Sequence, residues 1–284
     1  MTKQAKNSAK PLKEARKLTP KRHSKDKIRN TVIWVIAAML WVATAIIVSQ
    51  LIVGLIMVQI LGKEQFAEPL PTTIFSAVSY VLAFVLVAFV PPVVVINWRN
   101  IGKTNEERSK VSSGFASLKT LGIRGLPTWS DIGLSIVGLI AYFILAMIVM
   151  AFFQMFPWFN AGESQDIGFS YNLYGVERML AFITLVVLAP VAEELIFRGW
   201  LYGKMRTKLS AATTNLMSVL ISSFLVSLLF GAIHMQWNVG VNVFAMSLVA
   251  CALREYTGTI YAGILLHMLK NGLAFYALFV LGMS

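Results

Sequence analysis

Apolar and polar positions alternate along this chain in long blocks. Thr31–Leu61 contains no charged residue and opens with Trp34 and Trp41, placed as interfacial anchors would be. Further apolar runs cover Thr72–Ile96, Asp131–Phe156, Val176–Arg206, Ala211–Met235, Val239–Leu253 and Thr259–Met283. Runs of this length read as spanning helices and not as core strands. The pattern predicts an all-α polytopic membrane protein with about seven transmembrane helices, eight being the other count. Pro91-Pro92 and Pro190 are expected to kink the second and fourth spans. The sixth run would be only about 22 Å long, against a hydrocarbon core of about 30 Å. The loop Met235–Gly240 is therefore expected to dip into the protein, where it can line a cavity.

The polar blocks give the orientation. With the N-terminus in the cytoplasm, cytoplasmic segments hold 22 Lys and Arg, and the external side holds only Lys63 and Arg178. That asymmetry matches the positive-inside pattern. Of the 25 basic residues, 11 lie in residues 1–29, which have few large apolar side chains and should form a disordered cytoplasmic tail. The net charge of +12 therefore indicates attraction to anionic lipid, about 1 kcal/mol per basic residue near the surface, and not nucleic-acid binding. Residues 30–175 form the N-terminal membrane helices with a cytoplasmic linker at 97–130, and 176–284 a second membrane unit. In the linker, Phe115, Leu118, Leu121, Leu126 and Trp129 could rest on the membrane surface. Mean hydropathy of +0.70 excludes a soluble enzyme. The single cysteine, Cys251, excludes an intrachain disulfide.

Chemistry concentrates in 176–284. Glu193 and Glu194 stand side by side at the end of a charge-free run, and each carboxylate at bilayer depth costs roughly 2.5–3.5 kcal/mol. Helical spacing of four brings Glu194 to Arg198, an ion pair that fixes the helix. Glu193, about 100° around the helix, has no such partner and is free for chemistry. Two of the three histidines, His234 and His267, lie in the same apolar half. Asn271 is one turn beyond His267 on the same face. Lys270 points elsewhere and reads as a counter-ion or snorkelling residue, while Gly199 and Trp200 read as packing and anchoring residues.

Three motifs, Glu193-Glu194-Leu195-Ile196-Phe197-Arg198, Phe230-Gly231-Ala232-Ile233-His234 and His267-Met268-Leu269-Lys270-Asn271, follow one another in membrane spans. Together with the turn Arg254–Gly258 they resemble the CPBP (CAAX protease and bacteriocin-processing, or Abi) family of intramembrane endopeptidases. The likeness covers about Val176–Gly272 and makes 176–284 a CPBP-type catalytic core. It implies peptide-bond hydrolysis in a cavity reached from the cytoplasm. Glu193 would activate water with help from His234, and His267 and Asn271 would stabilise the oxyanion. No cofactor is expected. A zinc-dependent version would use Glu193, His234 and His267 as ligands, although the chain has no H-E-x-x-H helix.

Two other functions use the same residues. A proton or ion relay would need polar groups continuing to both faces, and spans one to three offer almost none. A non-catalytic membrane partner or immunity protein would keep the cavity for binding alone. The favoured expectation is a bacterial inner-membrane protease acting on a membrane-associated peptide or protein. Its four polar side chains should lie within a few ångströms of one water.

Overall fold

The computed structural model describes residues 9–100, 117–163 and 173–282, with side chains described for 26–91, 117–163 and 173–282. Among these residues seven helices are long and apolar enough to cross a membrane. They are α1 (Ala9–Phe66), α2 (Pro69–Asn100), α3 (Trp129–Phe153), α4 (Gly175–Ser210), α5 (Asn215–Ala232), α6 (Trp237–Thr257) and α7 (Tyr261–Phe279). The expected count of seven and the all-helical class both hold.

Several boundaries differ for physical reasons. α1 is helical from Ala9, inside the stretch expected to be disordered. Its Lys, Ala, Leu, Glu and Arg residues are good helix formers, and a span following directly supplies the costly nucleus. Gly62, with φ 79° and ψ 164°, breaks the far end of α1 where the chain turns back. α2 continues through Pro91-Pro92 to Asn100. α6 has 21 residues, because it starts at Trp237 rather than Val239 and runs to Thr257. A short sixth span and a dipping loop are thus replaced by a full-length helix behind a tight turn at 233–236. Met235 in that turn has φ 56°, a left-handed conformation that costs a non-glycine residue about 1–3 kcal/mol.

The helices pair as hairpins around a centre. α1 packs on α2, α5 on α6, and α3 on α6 and α7, while α4 touches α1, α2, α5, α6 and α7. Half of α4's span is buried, against 17% for α3, which shows its large aliphatics outward as a lipid-facing helix does. α3 begins with a capping box in which Thr128 and Asp131 bond each other's backbone.

The linker is anchored at its end. Leu121 is buried, and its carbonyl lies 3.0 Å from where a Cβ on Gly199 would stand, so Gly199 is a close-approach site. Gly122 accepts from the amide of Ile260, and Arg254 bonds the carbonyls of Gly258 and Thr120. Gly258, at φ 70°, is the left-handed cap of α6. Leu118, Leu126 and Trp129 are exposed as expected for surface contact, whereas Phe115 lies outside the described residues.

α5 and α6 cross closely at a glycine pair. A Cβ on Gly231 would meet the carbonyl oxygen of Gly240 at 2.7 Å, and that is backbone that cannot swing aside. Gly231→Ala should therefore cost about 1–3 kcal/mol of stability. Gly133, where an added Cβ meets nothing within 4 Å, supplies the control. Thermal unfolding in detergent should show a lowered midpoint for Gly231→Ala and none for Gly133→Ala.

Candidate active site

Residues Glu193 and Glu194 sit between two π-helical stretches of α4, Ile183–Leu188 and Leu195–Tyr202. Proline explains the first stretch. In π register the amide of Ala189 reaches the carbonyl of Thr184, five residues back. The next donor in that register would be residue 190, which is proline and has no N–H. The carbonyl of Leu185 is left without its backbone partner. The Asn271 side-chain amide supplies one, donating from Nδ2 at 2.9 Å. Pro190 therefore widens the helix where a kink was expected, and Asn271 repairs the gap from α7.

Glu194 is fully buried and organises the centre of the bundle. Its Oε1 lies 2.9 Å from Nη1 of Arg198, also fully buried, and 3.3 Å from Nδ1 of His267. The ion pair is close but poorly directed, and the guanidinium nitrogens find no hydrogen-bond acceptor. The guanidinium instead lies over the Phe230 ring, 4.6 Å from its centroid. The same ring meets Phe197 edge-on at 4.9 Å, His234 at 5.1 Å and His267 at 5.9 Å. Gly263 makes room, since a Cβ there would stand 3.0 Å from Oε2 of Glu194. Glu194 thus does more than fix its own helix, because it orients a histidine on another.

Glu193 faces a cavity of about 150 Å³ that it shares with His234. Glu193 and His234 meet although they stand on different helices of the bundle. From Glu193 to Ser210 and from Asn215 to Ala232 the chain runs about 26 Å down and about 26 Å back. His234 Nδ1 lies 2.7 Å from the Phe230 carbonyl and donates to it, so Nε2 carries the lone pair. Burial holds this imidazole below its ordinary pKa, which keeps it neutral near pH 7. His267 approaches Glu193 from α7, with Nε2 3.7 Å from Oε2.

The structure therefore brings together Glu193, His234 and His267, with Glu194 and Arg198 directly behind. Asn271 differs, since one of its two N–H groups is committed to Leu185, which leaves one. Among the described residues no group of three or more His, Cys, Asp or Glu side chains is arranged to hold a metal ion. Glu193, His234 and His267 do not fit a zinc site as they stand.

Sequence reasoning missed the opposite wall. α1 contributes Ile46, Ser49 and Gln50 to the cavity, and α2 contributes Phe75, Ser76, Ser79, Tyr80 and Ala83. The Tyr80 hydroxyl pairs with the Glu193 carboxylate. The first two spans thus carry polar groups into the site, where almost none were expected. The available signal was positional: 76, 79, 80 and 83 follow the i, i+3, i+4, i+7 spacing of one helix face. Lys270, set aside from sequence, lies within electrostatic range of both Glu193 and His234.

Residues 175–273 match the family model described as Type II CAAX prenyl endopeptidase Rce1-like. This segment is an Rce1-like CAAX endopeptidase domain. No curated protein and no solved structure matches the chain. The Rce1-like segment covers α4 to α7 and contains all three motifs, so the resemblance read from the sequence holds. The chain is a multi-span membrane protein whose residues 175–273 match a CAAX endopeptidase family model, and that class of enzyme is a hydrolase. α1, α2 and α3 lie outside the matched segment.

Proposed function

We propose that this protein hydrolyses a peptide bond close to a membrane anchor, using a water activated by Glu193 and His234. The observation that carries the reading is the shared cavity: a carboxylate held by the Tyr80 hydroxyl and an imidazole lone pair face one space, with a second histidine 3.7 Å from the carboxylate. Glu193 takes the proton of the attacking water, and His234 Nε2 accepts from that water and orients it. In its imidazolium form His267 donates from both nitrogens, Nδ1 to Glu194 and Nε2 to the developing oxyanion. The uncommitted N–H of Asn271 supplies a second donor, and such donors are worth about 3–4 kcal/mol each. Glu193 then delivers the proton taken from water to the leaving nitrogen as the carbon–nitrogen bond breaks, so that a neutral amine departs. The excess of basic residues on one side supports an N-terminus in the cytoplasm of a bacterial inner membrane, with the basic N-terminal segment against anionic lipid.

The test is cleavage of lipid-anchored peptides by purified protein in vesicles, read by mass spectrometry. A single new C-terminus is expected, with the rate unchanged by metal chelators. Activity abolished by chelation and restored by zinc would replace this mechanism with the zinc-dependent one. Peptide retention without any cleavage would leave a binding partner.

A second test concerns Asn271. Asn271→Leu removes the donor to a carbonyl that has no backbone partner, and an unpaired buried polar group costs about 1–3 kcal/mol. A lower thermal midpoint and lower activity should appear together. Unchanged stability would deny the amide its role in α4.

A further inference from the structure

We propose that Ser49, Gln50, Ser76, Ser79 and Tyr80, on α1 and α2, form a substrate subsite that holds an extended peptide segment against Glu193. This rests on the hydrolase reading above and specifies what the cavity binds and which part of the chain selects it.

The two helix faces are built alike. On α1, residues 46, 49 and 50 turn to the cavity, and on α2, residues 75, 76, 79, 80 and 83 do. Both sets follow helical spacing, so each is one continuous stripe. The α1 stripe lies near the middle of its span and the α2 stripe runs from under two turns inside Pro69 to past the middle of its own, in spans whose other exposed residues include large aliphatics such as Leu40, Leu55, Val81 and Val85. Polar groups at such depth are expected to face partners or a wet cavity. Here they face the carboxylate and imidazole of the site.

Their hydrogen bonds show what they still offer. Ser49 donates to the Ile46 carbonyl and Ser76 to the Thr72 carbonyl, so both keep their oxygen lone pairs as acceptors. Ser79 is buried at 5% exposure, lines the cavity, and its hydroxyl has no hydrogen-bond partner. Gln50 is exposed to the same space and brings both a donor and an acceptor. Acceptors, one free hydroxyl and a carboxamide in two parallel stripes complement the alternating N–H and C=O groups of an extended backbone.

Seven of the thirteen lining residues are polar, and although most of the wall surface is apolar, their polar groups weigh against a wholly hydrocarbon occupant. An isoprenoid chain here would desolvate the Glu193 carboxylate, the Ser79 hydroxyl and the Gln50 carboxamide without offering them a partner. Any lipid on the substrate therefore stays outside the chamber, and the scissile segment enters it. Tyr80 acts as a positioning residue within the subsite, because its hydroxyl meets the carboxylate and not the substrate chain.

The experiment pairs kinetics with capture. Peptides bearing or lacking a farnesyl group on cysteine are presented in phosphatidylcholine–phosphatidylglycerol vesicles to wild type, Gln50→Leu, Ser79→Ala and the double variant. The subsite predicts a KM raised at least tenfold in the double variant, with kcat within about threefold of wild type. Separately, a benzoyl-phenylalanine photocrosslinker replaces Gln50 in a Glu193→Gln background. Peptide should crosslink there, and farnesylcysteine alone should not compete. Efficient competition by farnesylcysteine would overturn the proposal in favour of a lipid pocket. Cleavage by wild type with KM unmoved in the double variant would overturn it while leaving the hydrolase reading in place. Crosslinking by a protein that cleaves nothing would support the subsite and remove the hydrolase reading.

Discussion

Glu193→Gln should lower kcat by about 10²–10⁴-fold and leave KM within a few-fold of wild type. The substitution keeps the shape of the side chain and its contact with Tyr80, and it removes the basic oxygen. Its specificity lies in the geometry. Glu194 next to it is paired with Arg198 and His267, whereas among the described residues Glu193 has no cationic side chain within ion-pair distance other than the imidazole of His267. Only Glu193 faces the cavity. A proteoliposome assay under saturating and subsaturating peptide separates the two constants. A Glu193→Gln protein that turns over within tenfold of wild type would place the base elsewhere.

Arg198→Met should destabilise the bundle by about 3–5 kcal/mol, the largest structural effect expected for a single change here. Both members of the pair are at 0% exposure, so the variant leaves Glu194 as a buried charge without its partner. It also removes the cation from the face of Phe230, the ring that touches Phe197, His234 and His267. The companion is Glu194→Met with Arg198→Met. Replacing both members of a buried pair by apolar groups is often neutral, so much of the stability should return. Activity should not return, because His267 loses the acceptor that orients it. Thermal unfolding together with cleavage rate reads both outcomes. A double variant that regained activity along with stability would show that Glu194 does nothing for His267.

The seven spans were legible because long charge-free blocks allow few alternatives in a chain this apolar. The motif residues were legible for a related reason, since ionisable groups inside such blocks demand an explanation. The polar wall was hidden by the chemistry of serine. Ser49 and Ser76 satisfy themselves on carbonyls three and four residues back and look innocuous in a helix, and their meaning appears only when two stripes turn to the same space. The π-helical stretches around Glu193 have one clear sequence mark, Pro190, and its effect depends on Asn271 arriving from another helix. The role of Glu194 was half visible. Its pairing with Arg198 follows from spacing, but its contact with His267 joins residues 73 apart. The ends of α5 and α6 were misjudged because the Gly231–Gly240 contact, which sets their crossing, leaves no trace in hydrophobicity.

The central claim is that water held between Glu193 and His234 attacks a peptide carbonyl. Cleavage of a lipid-anchored peptide in ¹⁸O-labelled water tests it most directly. One ¹⁸O atom is expected in the newly formed C-terminal carboxyl of the wild-type product, with product from Glu193→Gln formed about 10²–10⁴-fold more slowly. Product formed at equal rate by Glu193→Gln, or wild-type product without label, would contradict it.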